Sequence, residues 1–101
     1  LYRDINEKKI QIINIMNKDL IVNGNYICKM NEITSLEGSP IRVTKDFDCS
    51  HNELISLDGA PEYVGGDFNC FNNPNITKKE IIEYKKSGAV KGIIISNYGK
   101  F

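Results

Sequence analysis

Neither sign of charge dominates this chain: thirteen lysines and arginines stand against thirteen aspartates and glutamates in 101 residues, a formal net charge of zero. A chain without an overall field is not drawn to nucleic acid or to an anionic membrane surface by charge alone. Long hydrophobic runs are missing too. The stretch 10–16 is interrupted by Gln11 and Asn14, far short of the roughly 20 apolar residues a membrane-spanning helix needs. The first residues lack the apolar segment of a secretory signal, although the chain opens at Leu1 rather than at a methionine. These absences give the expectation of a cytoplasmic protein. Histidine occurs once, as His51. What remains, 41% hydrophobic and 26% charged residues, suits one domain with one modest core and leaves no room for a self-contained multidomain enzyme.

The chain repeats itself every twenty-one residues. Val22, Val43 and Val64 coincide, as do Tyr26, Phe47 and Phe68, then Cys28, Cys49 and Cys70, then Asn31, Asn52 and Asn73. The first two copies also share Ile33 with Leu54, Leu36 with Leu57, Gly38 with Gly59 and Pro40 with Pro61. This consensus contains most of the leucine-rich-repeat pattern, in which each copy supplies a short strand and a return segment. Side chains alternate across a strand, so Phe47 and Cys49 should point inward while Asp46, Asp48 and Ser50 point outward. The outward set of the first copy is Asn25, Ile27 and Lys29, and that of the third is Asp67, Asn69 and Phe71. The repeated asparagines should turn the chain off the strand and satisfy backbone groups that the bend would leave unpaired. Gly38 and Gly59 permit a tight turn, and Pro40 and Pro61 fix an extended return with little length for a helix.

A short stack of repeats exposes apolar side chains at both ends and needs caps. Ile5, Lys9, Ile12, Ile13 and Met16 recur at helical spacing behind Asp4, a candidate N-cap. At the other end Thr77 and Glu80 form a T-x-x-E capping box, Ile81, Ile82 and Tyr84 supply an apolar side, and Gly88 can end the helix. Residues 90–96, with Ile93, Ile94 and Ile95, are a candidate closing strand. The expected fold is α/β: a small leucine-rich-repeat solenoid of 21-residue repeats with a short parallel sheet, capped by N-terminal and C-terminal helices. Residues 1–101 form a single domain, divided into an N-terminal capping helix at 4–18, repeats at 22–76, and a C-terminal helix with a closing strand at 77–101.

The run D-F-D-C-S-H-N-E-L-I-S-L-D-G-A-P-E-Y-V-G-G-D-F-N-C at 46–70 resembles the short repeats of leucine-rich-repeat proteins encoded by bacteriophages and some bacteria. There, blocks of the form F-x-C-S-x-N-x-L-x-S-L-x-G-A-P-x-x-V-G-G stand in tandem. The resemblance covers residues 22–73, about half the chain. It implies a phage or phage-derived origin and a protein-binding module without catalytic activity. The first copy departs from the pattern at Met30, and Thr44 and Lys45 stand where Gly-Gly is usual. Neither flanking helix carries it.

Three cysteines and a histidine invite a zinc reading. Strands in a ladder lie about 4.8 Å apart, so Cys28 and Cys70 would stand roughly twice that distance from each other, whereas zinc holds each sulfur near 2.3 Å. A column of buried thiols in a reducing compartment is the reading that fits, and no metal or cofactor is expected. Asp46, Asp48 and Asp67 resemble a catalytic carboxylate cluster only in composition, because an open strand face leaves them solvated. Asn75-Ile76-Thr77 matches a glycosylation acceptor, but the same threonine is required by the capping box.

Charge is segregated along the chain. Residues 31–67 carry two basic and eight acidic groups, and residues 78–100 carry six basic and two acidic. An acidic strand face with Asp46, Asp48, Glu53, Asp67 and Asn69 beside the aromatic Phe71 suggests a docking surface for a basic patch on a bacterial host protein. The alternative is a surface that merely keeps the chain soluble. From the resemblance and the charge together, the expected function is that of a phage-encoded, non-enzymatic inhibitor or adaptor of a host bacterial complex, including defence systems such as CRISPR effectors, acting in the host cytoplasm. Two alternatives remain. One is a structural phage protein that self-associates through an exposed edge at 93–95. The other is a weak nucleic-acid binder through Lys78, Lys79, Lys85, Lys86 and Lys91, which lack interleaved aromatics or forked arginines.

Overall fold

The 21-residue period appears in the computed structural model, which describes residues 20–101, as a backbone register. Ile21–Val22 (β1), Arg42–Val43 (β3) and Tyr63–Val64 (β5) form one sheet, in the order β1-β3-β5. Tyr26–Ile27 (β2), Phe47–Asp48 (β4), Phe68–Asn69 (β6), Ile94–Ser96 (β7) and Gly99–Lys100 (β8) form a second, in the order β2-β4-β6-β7-β8. Val22, Val43 and Val64 pair in parallel, as do Tyr26, Phe47, Phe68 and Ile94. Each unit therefore contributes two strands, one to each sheet, where the sequence suggests one. The helix expected over 4–18, with Asp4 as its cap, lies outside the described residues.

The core consists of stacked like residues. Val43, Phe47, Cys49, Leu54, Val64 and Phe68 are fully buried, and the rings of Tyr26, Phe47 and Phe68 stack at centroid distances of 5.2 and 5.1 Å. Tyr84 ends this column edge-on to Phe68 at 5.0 Å, and its hydroxyl donates to the Pro61 carbonyl at 2.7 Å. Tyr84 belongs to the helix Lys78–Lys86 (α1), which also buries Ile81. The Thr77 hydroxyl accepts from the Glu80 amide at 3.2 Å, and Gly88 leaves the helix at a φ of 80°, which glycine adopts without strain.

The asparagines tie unit to unit. Asn52 Nδ2 donates to the carbonyls of Cys28, Cys49 and Ser50, while its Oδ1 accepts the amides of Asn31 and Ile33. Asn73 donates likewise to Cys49, Cys70 and Phe71 and accepts from Leu54. Buried backbone groups at the first and second bends are thus paired by the asparagine of the next unit, which also pairs carbonyls of its own unit.

Two expectations are corrected. Ser50 does not face outward: it is 3% exposed, because its hydroxyl and its amide both donate to Asp48 Oδ1, at 2.6 and 3.0 Å, and draw it in. The closing strand also carries no free edge. It is confined to Ile94–Ser96 and is paired on one side with β6 and on the other with antiparallel β8. Ile94 is fully buried, so an Ile94→Lys change would break the core rather than report on self-association.

Burial pushes the Cys70 thiol up to about 12 and the Cys49 thiol well above its ordinary value, the latter helped by the neighbouring thiols Cys28 and Cys70 and by Asp48. A folded pKa above the unfolded one gives stability that is complete below the unfolded value and lost as pH rises toward the folded one. Urea midpoints should therefore hold steady up to about pH 8 and fall between about pH 9 and 12. Cys49→Ala should show a shallower alkaline decline.

Candidate functional site

The outward face of the second sheet holds most of the residues expected to dock a partner. Asp48 and Asn69 sit side by side in register, and both are half-buried. Asp46 and Asp67 lie at the equivalent positions just before their strands. Phe71 follows two residues after Asn69, at 47% exposure, with its ring edge-on to His51 at 6.0 Å. Glu53 is not part of this group. It lies beyond the buried Asn52, on the return segment, where its amide donates to Ile33.

Several of these side chains already serve the fold. Asn25 Oδ1 accepts the amide of Asp46, Asp46 Oδ1 that of Asp67, and Asp67 Oδ1 that of Ile93, at 2.9, 2.8 and 2.9 Å. This ladder needs the bare backbone of Gly66 and Gly92, where a Cβ would overlap the carboxylate oxygens of Asp46 and Asp67. Asp48 Oδ1 holds Ser50, and Asn69 Oδ1 holds the Phe71 amide at 3.0 Å. The two functions are compatible, since a carboxylate offers about four acceptor directions, of which the fold uses one at Asp46 and Asp67 and two at Asp48.

One row at the margin of this face lies outside the set expected to dock a partner, although the sequence already draws attention to His51 and Met30 individually. Met30, His51 and Asn72 occupy one repeat position and all take left-handed backbone, at φ of 57°, 56° and 60°. His51 Nδ1 lies 3.0 Å from Asn72 Nδ2, and the Asn72 amide donates to Asn97 Oδ1 at 2.6 Å. Their shared spacing of twenty-one is readable in the sequence. Their backbone conformation is not, because none of the three is glycine.

The outward face of the first sheet has the opposite character. Arg42 stacks its guanidinium 3.7 Å over the Tyr63 ring, and Lys91 Nζ lies 5.5 Å from the same ring. The C-terminal lysines do not all project freely. Lys85 Nζ donates to the Gly92 carbonyl at 2.7 Å and Lys91 Nζ to that of Gly88 at 3.1 Å, so two of the five candidates for phosphate contact are engaged in holding the segment after α1.

Comparison with models of protein families, with curated proteins and with solved structures yields no match.

Proposed function

We propose that the chain is a non-enzymatic protein-binding module. In this reading it is a small leucine-rich-repeat solenoid whose C-terminal end is closed by α1 with β7 and β8. The 21-residue strand register and the asparagine ties between units support the solenoid. The partner is a bacterial host protein with a basic patch, which the module inhibits or recruits in the host cytoplasm, a reading supported by the acidic strand face together with the resemblance to phage repeats.

One observation carries the docking reading. Asn25 does for Asp46 what Asp46 does for Asp67, and Asn69 does for the Phe71 amide what Asp48 does for the Ser50 amide. An amide oxygen therefore suffices for the fold at these positions, and the negative charge at 46, 48 and 67 is left to act on a partner. Beside it, Phe71 is a large apolar side chain held in place by a turn instead of by burial, the kind of anchor that dominates interfaces.

The test follows from the same equivalence. Replacing Asp46, Asp48 and Asp67 together by asparagine keeps each Oδ1 acceptor and removes three charges. The variant should melt within a few degrees of the native chain, because surface changes that leave hydrogen bonds intact stay within about 0.5 kcal/mol each. It should lose any partner that the native chain retains from a bacterial lysate at moderate salt, and so should Phe71→Ala. Unchanged capture by both variants would refute the strand face as the docking surface. The corresponding lysine variant is unsuitable, since lysine has no acceptor for the amides of Asp67, Ser50 and Ile93.

A further inference from the structure

A second set of acidic groups lies on the return segments. The carboxylates of Asp46, Asp48 and Asp67 hold backbone amides, whereas those of Glu37, Asp58 and Glu62 hold none among the described residues, and all three are exposed. They line one furrow between two successive units. Its middle part, ≈420 Å³, runs past Glu37, Pro40, Ile41, Ala60 and Glu62. It shares Glu37 and Gly59 with a neighbouring hollow of ≈400 Å³ that reaches Ile55 and Asp58, and it shares Ile41 and Glu62 with another of ≈320 Å³ that ends at Arg42 and Tyr63.

The furrow has a local cause. Before it, the Ile55 amide crosses to the Thr34 carbonyl, and after it the Glu62 amide crosses to the Ile41 carbonyl. Between these points the amides turn back into their own unit: Glu37 to Ser35 Oγ, Ser39 to the Leu36 carbonyl, Asp58 to Ser56 Oγ and Ala60 to the Leu57 carbonyl. Along those local turns, around Gly38 and Gly59 at φ of 87° and 90°, no backbone hydrogen bond joins the two units among the described residues. The floor stays closed, since a Cβ on Gly59 would come within 2.7 to 2.8 Å of the Leu36 and Glu37 backbone. The result is a shallow channel with an apolar floor, acidic walls, and at one mouth Ile55, 66% exposed.

The geometry points to this furrow as the seat of an extended segment of the partner, one in which lysines or arginines alternate with aliphatic side chains. Alternation suits an extended chain, whose successive side chains point to opposite sides: the aliphatic set meets Pro40, Ala60, Ile41 and Ile55, and the basic set meets Glu37, Asp58 and Glu62. The complementarity is of charge and of apolar surface together. This inference rests on the reading of the chain as a docking module for a basic partner and names a second contact within it.

A fluorescent eight-residue peptide of alternating lysine and leucine is the probe, followed by anisotropy and by amide chemical shifts. Saturable binding should move the amides of Ile41, Ile55 and Ala60. The variant Glu37→Gln, Asp58→Asn, Glu62→Gln, which is isosteric and should melt like the native chain, should bind about tenfold more weakly, as the loss of three exposed charge contacts implies. The strand-face variant with asparagine at 46, 48 and 67 should bind the peptide like the native chain. Equal binding by the furrow variant, or no binding of the peptide to the native chain, would overturn the furrow. Weakening by the strand-face variant alone would also overturn it while leaving the proposed function intact.

Discussion

Replacing Asn52 by alanine should cost about 3 to 5 kcal/mol, because five hydrogen bonds end on one buried side chain and their partners would be left without a substitute. Asn52 serves two units at once. Its Nδ2 pairs carbonyls of the first and second units, and its Oδ1 pairs two amides of the first. An alanine there strands Ser50, Asn31 and Ile33 groups in a region too closed for water to repair them all. Asn31 gives the control. It has the same repeat position and similar burial, yet its Oδ1 has no hydrogen-bond partner among the described residues, and the Cys28 carbonyl that its Nδ2 reaches is also reached by Asn52. Asn31→Ala should therefore cost about 1 kcal/mol or less, the net worth of one shared bond. Urea titrations of the two variants should differ severalfold in lost stability. Equal losses would mean that the side chain acts by filling space and not by pairing the backbone.

Phe47→Ala should be as damaging for a different reason. The ring is fully buried and is stacked on both sides, by Tyr26 at 5.2 Å with an interplanar angle of 26° and by Phe68 at 5.1 Å and 10°. Truncation removes the transfer energy of a large side chain and leaves a cavity in the middle of a column that cannot close without shifting the strand register, a loss of about 4 kcal/mol. Small domains have about 5 to 15 kcal/mol in total, so the variant should be partly unfolded at room temperature. The chain has no tryptophan, so the transition is best followed by far-ultraviolet circular dichroism. Phe47→Leu, which keeps most of the volume, should recover more than half of the loss. A Phe47→Ala variant that melts within a few degrees of the native chain would show that the aromatic column is dispensable.

These two positions also mark what the sequence makes legible. The period of twenty-one fixes which residues are neighbours across strands, and the columns of valine, aromatic, cysteine and asparagine follow from it directly. The aspartates are harder to read. Across 25, 46 and 67 the chain changes from an amide to two carboxylates, which reads as a change in surface charge, whereas the hydrogen bond that the position makes is the same throughout. The buried Ser50 escapes the alternation rule because a neighbouring carboxylate captures its hydroxyl, a contact that periodicity does not encode. Strands of two residues, such as Ile21–Val22, are too short to produce a pattern at all. The hairpin of β7 and β8 is hidden because its second strand, Gly99–Lys100, is a glycine and an exposed lysine with no apolar signal.

The last unit of the ladder is longer than the others. Phe68 pairs with Phe47 at an offset of twenty-one, but Phe68 pairs with Ile94 at an offset of twenty-six, and α1 occupies the interval. The Asp67 carboxylate nevertheless meets the Ile93 amide much as Asp46 meets Asp67. Strand pairing thus sets the geometry while the length of the return path is free to vary. A graft of foreign sequence should accordingly be accommodated at the turn after Leu57, where the chain is open to solvent, without disturbing the stacked columns, which makes the return side the natural place to give this scaffold a new loop.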